Sequence, residues 1–190
     1  MVQLNDKKSI KVPNNVSVYY NRNKDVLFIK GVSKQKIVKL KLKLELSCCG
    51  KEVLVLNPTR LNNKKVPSYL KALKGTTVAL LKQSFLEVSM NFYKKLKILG
   101  VGYKIFVIKS GDRKILHLKL GYSHSIFIKV PCNITVDSSK LSTLFIQGSD
   151  FIKVTEFASL VRSCKVPEPY KGKGIAFDNE IINLKAGKVL

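Results

Sequence analysis

Ile10-Lys-Val-Pro-Asn-Asn-Val-Ser-Val18 occurs a second time in this chain as Ile128-Lys-Val-Pro-Cys-Asn-Ile-Thr-Val136, with six of the nine residues identical. A second pair follows in the same order, because Val26-Leu-Phe-Ile-Lys-Gly31 matches Thr143-Leu-Phe-Ile-Gln-Gly148 at four of six positions. The two pairs are offset by 118 and 117 residues. In each copy, a turn at proline leads into a strand, a short loop and a second strand that ends at glycine. Two copies are too few for a solenoid, so the repeat predicts two similar small domains.

Hydrophobic periodicity predicts several strands and then one helix in each half of the chain. In the first half, strands are expected near residues 17–20, 26–30, 37–46 and 52–56, followed by a helix over about 68–92. In the second half, strands are expected near residues 96–108, 115–120, 125–130, 134–137 and 143–147, followed by a helix near 151–163. This order predicts an α+β fold of two similar domains from an internal duplication, each with one helix packed on a mostly antiparallel sheet. We expect an N-terminal domain over residues 1–93, a C-terminal domain over 94–176 and a tail over 177–190.

Leucine and lysine alternate over the segment Ile37–Leu46. The leucines are Leu40, Leu42, Leu44 and Leu46, and they alternate with Lys39, Lys41, Lys43 and Glu45. A period of two predicts one continuous strand, with leucines on one face and lysines on the other. Two interpretations of the lysine face stay open: a solvated face that protects a sheet edge, or a face that contacts phosphate.

The charge of the chain points to a polyanionic partner. The 190 residues carry a formal charge of +23, from 35 Lys and Arg against 12 Asp and Glu. Such a charge strains a compact fold by self-repulsion, and nucleic acid is the commonest partner that neutralises it. Only four of the basic residues are Arg, whereas 31 are Lys. Since Arg suits bidentate contacts to guanine and Lys acts as a point charge, this ratio favours binding to backbone and shape rather than to base sequence.

Several functional classes are excluded by what the sequence lacks. No apolar run approaches the ~20 residues of a membrane helix, and four Cys are too few for a disulfide scaffold. His117 and His124 have no carboxylate cluster near them, and no two cysteines have Cys-x-x-Cys spacing. Gly100-Val-Gly102 lacks the helix and the further glycine of a dinucleotide fingerprint, so we expect close packing or a bulge within a strand. We therefore expect no catalytic site, metal, cofactor or small-molecule substrate.

Pro167-Glu-Pro-Tyr-Lys-Gly-Lys-Gly174 is the most distinctive segment of the chain. Its prolines favour an extended backbone after the second helix. Its tyrosine offers a flat ring, its two lysines offer charge, and its glycines let the backbone approach another chain and expose N–H groups to phosphate. With Arg162 and Lys165, it predicts a short basic loop suited to the RNA backbone; the alternative is an ordinary solvated loop.

This segment resembles the signature of the bacterial-type large-subunit ribosomal protein L six family. Lys94-Lys-Leu-Lys-Ile-Leu-Gly-Val-Gly-Tyr103 resembles the family's entry into its second domain, and Leu120-Gly-Tyr-Ser-His124 resembles its Gly-Phe-Ser-His turn. The resemblance covers about residues 10–188. The family has Arg before and after the signature, where this chain has Cys164-Lys-Val166 and Ala176-Phe177, so some guanidinium contacts are missing.

The resemblance implies a non-enzymatic structural protein with two similar α+β domains. Family members bind large-subunit ribosomal RNA, mainly through the second domain near the sarcin–ricin loop, and neighbouring ribosomal proteins are further expected partners. Carried onto this chain, the RNA-facing residues are Tyr170, Lys171, Gly172, Lys173 and Gly174, in addition to Arg162 and Lys165. The alternative is a free, general RNA-binding protein with the same fold.

The location of the protein is inferred from two features. Residues 1–10 do not resemble a transit or signal peptide, so we expect the chain to act in the compartment where it is made. The bacterial-type signature with abundant Lys and Asn resembles the product of an AT-rich genome. A mitochondrial ribosome is therefore the first expectation, and the cytoplasm of an AT-rich bacterium or a plastid stroma is the alternative.

Overall fold

The computed structural model describes residues 8–32, 34–42, 44–46, 52–55, 68–111 and 113–187. It divides into two units, Met1–Met90 and Asn91–Leu190, called unit 1 and unit 2 below. In the described part of each unit, antiparallel strands and one α-helix surround a single apolar core. The predicted α+β class, with one helix packed on sheets in each of two small domains, is confirmed.

Unit 1 contains two three-stranded antiparallel sheets and a long helix among its described residues. In chain order the elements are β1 (Lys8–Lys11), β2 (Ser17–Asn21), β3 (Val26–Lys30), β4 (Gln35–Lys39), β5 (Leu44–Leu46), β6 (Glu52–Val55) and α1 (Ser68–Ser89). The strand orders are β1-β6-β5 and β2-β3-β4. Strand alternation turns side chains such as Leu27, Ile29 and Val53 into the core, where Leu81 and Phe85 of α1 meet them.

Two predictions for unit 1 need correction, and one strand was missed. The strand predicted over residues 37–46 is interrupted, because β4 ends at Lys39 and β5 then joins the other sheet. The alternation itself holds where it is described, since Leu40 and Leu42 are buried. The helix ends at Ser89, because the chain from Phe92 pairs as a strand instead. The strand β1 was not predicted.

Unit 2 has the same kinds of element, with one further strand at its end. The elements are β7 (Phe92–Leu99), β8 (Lys104–Ser110), β9 (Arg113–Lys119), β10 (Ile126–Lys129), β11 (Ile134–Lys140), β12 (Thr143–Gly148), α2 (Phe151–Ser163) and β13 (Gly174–Phe177). The strand orders are β10-β9-β8 and β11-β12-β7-β13. The helix predicted near residues 151–163 is confirmed as α2, whose Val154, Ala158 and Val161 are buried against these sheets at helical spacing.

The strand predicted over residues 96–108 is two strands joined by a tight turn. Gly100 and Gly102 lie in that turn rather than within a strand, with φ of 147° and 80°. Close packing is confirmed at Gly100, because a Cβ there would lie 2.9 Å from the ring of Tyr103. Gly121 approaches the same ring, where a Cβ would also lie 2.9 Å away. The Tyr103 ring therefore fits between two glycines, which fixes the turn after β7.

The two units have their elements in the same order along the chain. The strands that correspond by this order are not the strands that the sequence repeat matches. Sheet β1-β6-β5 corresponds to β7-β12-β11, sheet β2-β3-β4 corresponds to β8-β9-β10, and a helix follows each set. The repeated sequence instead matches β1 with β10 and β2 with β11. The repeated sequence therefore occurs in different sheets of the two units, although both copies form antiparallel strands.

Candidate nucleic-acid interface

The segment between α2 and β13 is a loop held by its own backbone. The Glu168 N–H donates to the Lys173 carbonyl oxygen at an N···O distance of 3.0 Å, and the Gly172 N–H donates to the Glu168 carbonyl oxygen at 2.8 Å. These two bonds close the tip of the loop on itself. The tip therefore has a defined shape before any ligand arrives.

The same loop is anchored at its base. The Ile175 N–H donates to the Lys165 carbonyl oxygen at 2.8 Å, so the two ends of the loop are joined. The Lys185 N–H donates to the Pro169 carbonyl oxygen, also at 2.8 Å. The chain beyond β13 therefore returns to the loop and supports it.

The two glycines of the loop have structural roles. Gly172 has a φ of 67°, and Gly174 has a φ of 153°. Residues with a Cβ adopt such backbone angles only with strain. A Cβ on Gly174 would lie 2.7 Å from both Cα and N of Pro167. Both glycines are buried. The prediction that glycine N–H groups face phosphate is wrong for Gly172, because its N–H is already bonded to Glu168.

Three side chains of the signature extend from this loop. Tyr170 is 55% exposed, Lys171 is exposed and Lys173 is half-buried. Two cations and one ring thus stand on a loop with a fixed backbone. Such an arrangement suits contacts to phosphate and to an unpaired base.

Arg162, predicted as an RNA-binding residue, is engaged inside unit 2. Its Nε donates to Oε2 of Glu180 at 3.0 Å, its Nη2 donates to Oε1, and its guanidinium lies 5.8 Å from the ring centroid of Phe177. The hydrogen bond from Arg162 lowers the pKa of Glu180, and the Phe177 N–H adds to that effect. The same pair raises the pKa of Arg162. Arg162 therefore connects the end of α2 to the chain after β13.

Lys165 joins the signature loop to a second motif. Its Nζ lies 4.4 Å from the ring centroid of Tyr122, and the Tyr122 hydroxyl donates to the Cys164 carbonyl oxygen at 3.1 Å. The Tyr122 ring also stacks on His124, with centroids 5.7 Å apart. The structure thus brings the Leu120–His124 turn beside the loop. Both motifs are visible in the sequence, but their proximity is not, so Tyr122 and His124 were not predicted as site residues.

Asp178, directly after β13, joins this strand to β7 through two lysines. Asp178 Oδ1 lies 2.6 Å from Lys97 Nζ and 3.2 Å from Lys95 Nζ, and the Asp178 N–H donates to the Lys95 carbonyl oxygen. The bonds from Lys97 and then Lys95 lower the pKa of Asp178. Residues 177–180 therefore take part in the packing of unit 2.

Other candidate chemistry is not assembled in the described part of the chain. No group of three or more His, Cys, Asp or Glu there could hold a metal ion. Cys132 is exposed, and burial raises the pKa of the half-buried Cys164. Cys48 and Cys49 lie outside the described residues. No helix among the described residues is long and apolar enough to cross a bilayer.

Comparison with known proteins gives one consistent result. A family model described as ribosomal protein L6 matches residues 99–178. The large ribosomal subunit protein uL6 of Mycoplasmoides gallisepticum is 38% identical over 181 residues, which cover 94% of this chain and 92% of that protein. Protein uL6m of Reclinomonas americana is 34% identical over 183 residues, with 95% and 96% covered. Protein uL6 of Listeria innocua is 32% identical over 182 residues, with 96% of each chain covered.

Proposed function

Because this chain belongs to the ribosomal protein L6 family, we propose a defined role for it within the large ribosomal subunit. It is a structural, non-enzymatic constituent of that subunit. Large-subunit ribosomal RNA and neighbouring ribosomal proteins are its partners. We propose further that unit 2 provides the main RNA contact, near the sarcin–ricin loop, and that it does so through the signature loop.

The observation that carries this role is the combination of a fixed backbone and exposed cations at the signature loop. Tyr170 and Lys171 are exposed on a tip whose backbone is hydrogen-bonded to itself. A preorganised loop loses little conformational freedom on binding, so its lysines meet phosphate at a low entropic cost. Lys173 and Lys165 add charge on the same loop. These contacts follow the shape of the RNA rather than its sequence.

The remaining predicted site residues act by holding the loop. Gly172 and Gly174 permit its backbone path, and Arg162 connects α2 to Glu180. We assign direct RNA contact to Lys165, Tyr170, Lys171 and Lys173. Arg162 and the two glycines then affect RNA binding through the shape of the loop.

The test is incorporation of a variant with Lys171→Ala and Lys173→Ala into large subunits. Loss of two phosphate-facing charges should lower the occupancy of the chain in subunits sedimented at high salt, because phosphate contacts are the salt-sensitive part of binding. The matched control replaces Lys24 and Lys71, two exposed lysines of unit 1 outside the Ile37–Leu46 segment, by Ala. Equal occupancy of both variants would contradict the loop assignment. Equal binding of wild-type chain to unrelated RNAs, with no recovery in subunits, would favour a free RNA-binding protein.

The ribosome is the location that the relatives support, and the mitochondrial matrix is our proposal for the compartment. Similarity to uL6m of Reclinomonas americana supports it, while similarity to uL6 of Mycoplasmoides gallisepticum keeps a bacterial cytoplasm as the alternative. Cell fractionation of the source organism decides between them. Recovery with the mitochondrial rather than the cytosolic or plastid ribosomes is the expected result.

A further inference from the structure

Three rings form a stack across the outer face of sheet β10-β9-β8 in unit 2. His117 lies opposite Phe106 of β8 and Phe127 of β10 in the strand register. The His117 ring is 4.7 Å from Phe127 with an angle of 11° between the planes, and 5.6 Å from Phe106 with an angle of 28°. His117 Nε2 is buried and forms no hydrogen bond among the described residues. The imidazole therefore serves as a flat partner for its neighbours.

The stack lies on the side of the sheet that faces away from the core. Leu116 and Leu118 of β9 point inward and are fully buried, so His117 between them points outward. Phe127 is 62% exposed, whereas Phe106 and His117 are half-buried. An exposed aromatic row of this kind marks a binding surface more often than a chance feature.

The stack is open at Phe127. The strand β10 is at the edge of its sheet among the described elements, so only one side of the Phe127 ring has a stacked neighbour. The opposite side of this ring is available to a flat group of similar size. A nucleic-acid base has the shape to continue the stack as a fourth ring.

The charges around the stack indicate which kind of molecule binds there. Lys104 and Lys119 face each other in the register beside the ring row, and Lys129 lies opposite Ile115 on its other side. All three lysines are exposed. No described residue of β8, β9 or β10 is acidic. A face with cations around an aromatic platform favours RNA, because each base has a ring to stack and each nucleotide has a phosphate to neutralise.

We propose that this face, defined by Phe106, His117, Phe127 and the lysines 104, 119 and 129, binds an unpaired RNA segment by stacking a base on Phe127. It is a second RNA contact of unit 2, separate from the signature loop. The proposal uses the assigned role in the large subunit for one point only, which is that the unpaired segment belongs to ribosomal RNA. The binding itself is a property of this face and is tested on the free chain.

Unit 1 offers a matched position for the test. Tyr19, Phe28 and Ile37 occupy the corresponding row of sheet β2-β3-β4. Ile37 is 65% exposed, close to the 62% of Phe127, and lies on the corresponding edge strand. Residues 127 and 37 are therefore exposed to nearly the same extent, but only Phe127 is an aromatic ring at the end of its row.

The experiment uses tryptophan fluorescence, because the chain contains no Trp. Phe127→Trp and Ile37→Trp each place a single reporter in the full-length protein, and an eight-nucleotide oligouridylate is the probe. Saturable quenching of the residue 127 reporter, with little change at residue 37, is the expected result. No quenching at residue 127, or equal quenching at both, overturns the proposal and leaves a protein partner as the occupant to examine.

Affinity measurements complete the test. Phe127→Leu keeps an apolar side chain but removes the ring, so it should weaken binding of fluorescently labelled oligouridylate by about 5-fold or more, the effect of losing one base–aromatic stack. Lys119→Gln should reduce the dependence of log affinity on log salt by about 0.7, the value for one phosphate contact of single-stranded RNA. Lys24→Ala, at an exposed lysine of unit 1 outside both proposed RNA contacts, should leave this affinity unchanged. An unchanged affinity for Phe127→Leu, with melting temperature also unchanged, overturns the stacking proposal without affecting the loop assignment.

Discussion

Units 1 and 2 share an order of six strands and a helix among the described residues, yet they end differently. In unit 1 the described chain passes from the 22-residue α1 to residue 90, where the unit ends. In unit 2 the 13-residue α2 is followed by the signature loop, by β13 and by the residues that pair with Arg162, Lys95 and Lys97. The signature-loop contact proposed for RNA therefore lies on the segment after the second helix, for which the described part of unit 1 has no counterpart. The second proposed contact lies instead on sheet β10-β9-β8, which both units share in design.

The two units also use buried and exposed charge differently. In unit 1, Glu87 of α1 is 3% exposed, pairs with Lys36 of β4 and accepts a hydrogen bond from Gln83 at 2.8 Å. In unit 2, the pairs made by Glu180 and Asp178 are about a third exposed. A buried pair is costly to break, whereas a partly exposed one contributes little. The unit 1 helix should therefore be more sensitive to the loss of one charge.

The largest effect is expected from Gly174→Ala, which tests whether the added strand of unit 2 depends on its glycine. The new Cβ would lie 2.7 Å from backbone atoms of Pro167, at a φ that alanine disfavours. We expect a loss of about 3 kcal/mol in the unfolding free energy of unit 2. Hydrogen exchange at the Ile175 amide measures it.

The control for that variant is Gly75→Ala in α1, where a Cβ would have nothing within 4 Å. Since alanine favours a helix interior, unit 1 should gain about 1 kcal/mol. If Gly174→Ala leaves exchange at β13 as slow as in the wild type, the strand does not depend on this close approach.

A smaller effect is expected from Lys36→Met, which breaks the buried pair of unit 1. Glu87 would keep its bond from Gln83 but lose the ion pair with Lys36, so unit 1 should lose about 2 kcal/mol. Urea unfolding followed by exchange of α1 amides measures it. Lys39→Met, on the exposed side of the same strand, is the control and should change stability by less than about 0.5 kcal/mol. Similar losses for the two variants would remove the contrast between buried and exposed charge.

The smallest effect is expected from Glu180→Gln, through its dependence on pH. The pKa values of Glu180 and Asp178 are lowered in the folded chain, so their contribution to stability is present above the ordinary carboxyl pKa and is lost as the pH falls through the folded pKa. Wild-type stability should therefore decrease below about pH 4.5.

Glu180→Gln should lower stability at neutral pH by less than about 1 kcal/mol and flatten part of that acid decrease. Thermal melting from pH 7 to pH 3 measures both changes. A variant curve parallel to the wild-type curve over this range would show that Glu180 does not contribute to the acid dependence.

The class of fold and most of the element types could be predicted from the sequence, because these depend on local periodicity. Alternation at Val26–Lys30 and the 3.6-residue stripe of Val154, Ala158 and Val161 are visible in the sequence and agree with the structure. Local patterns did not predict where one strand ends and the next one begins. The interruption after Lys39 and the turn at Gly100 each join strands of different sheets, and that choice depends on distant partners.

The tertiary structure alone decided how the candidate site is built. The segment Gly174–Phe177 is too short to predict a strand, and it becomes β13 only because the distant β7 offers a free edge. The roles of Arg162, Gly172 and Gly174 as supports, and the meeting of Lys165 with Tyr122, depend on contacts between residues far apart in the chain. The ring row on β8, β9 and β10 has the same origin, since only strand register places Phe106, His117 and Phe127 side by side. Sequence determines which chemistry is available, and long-range pairing determines which groups come together.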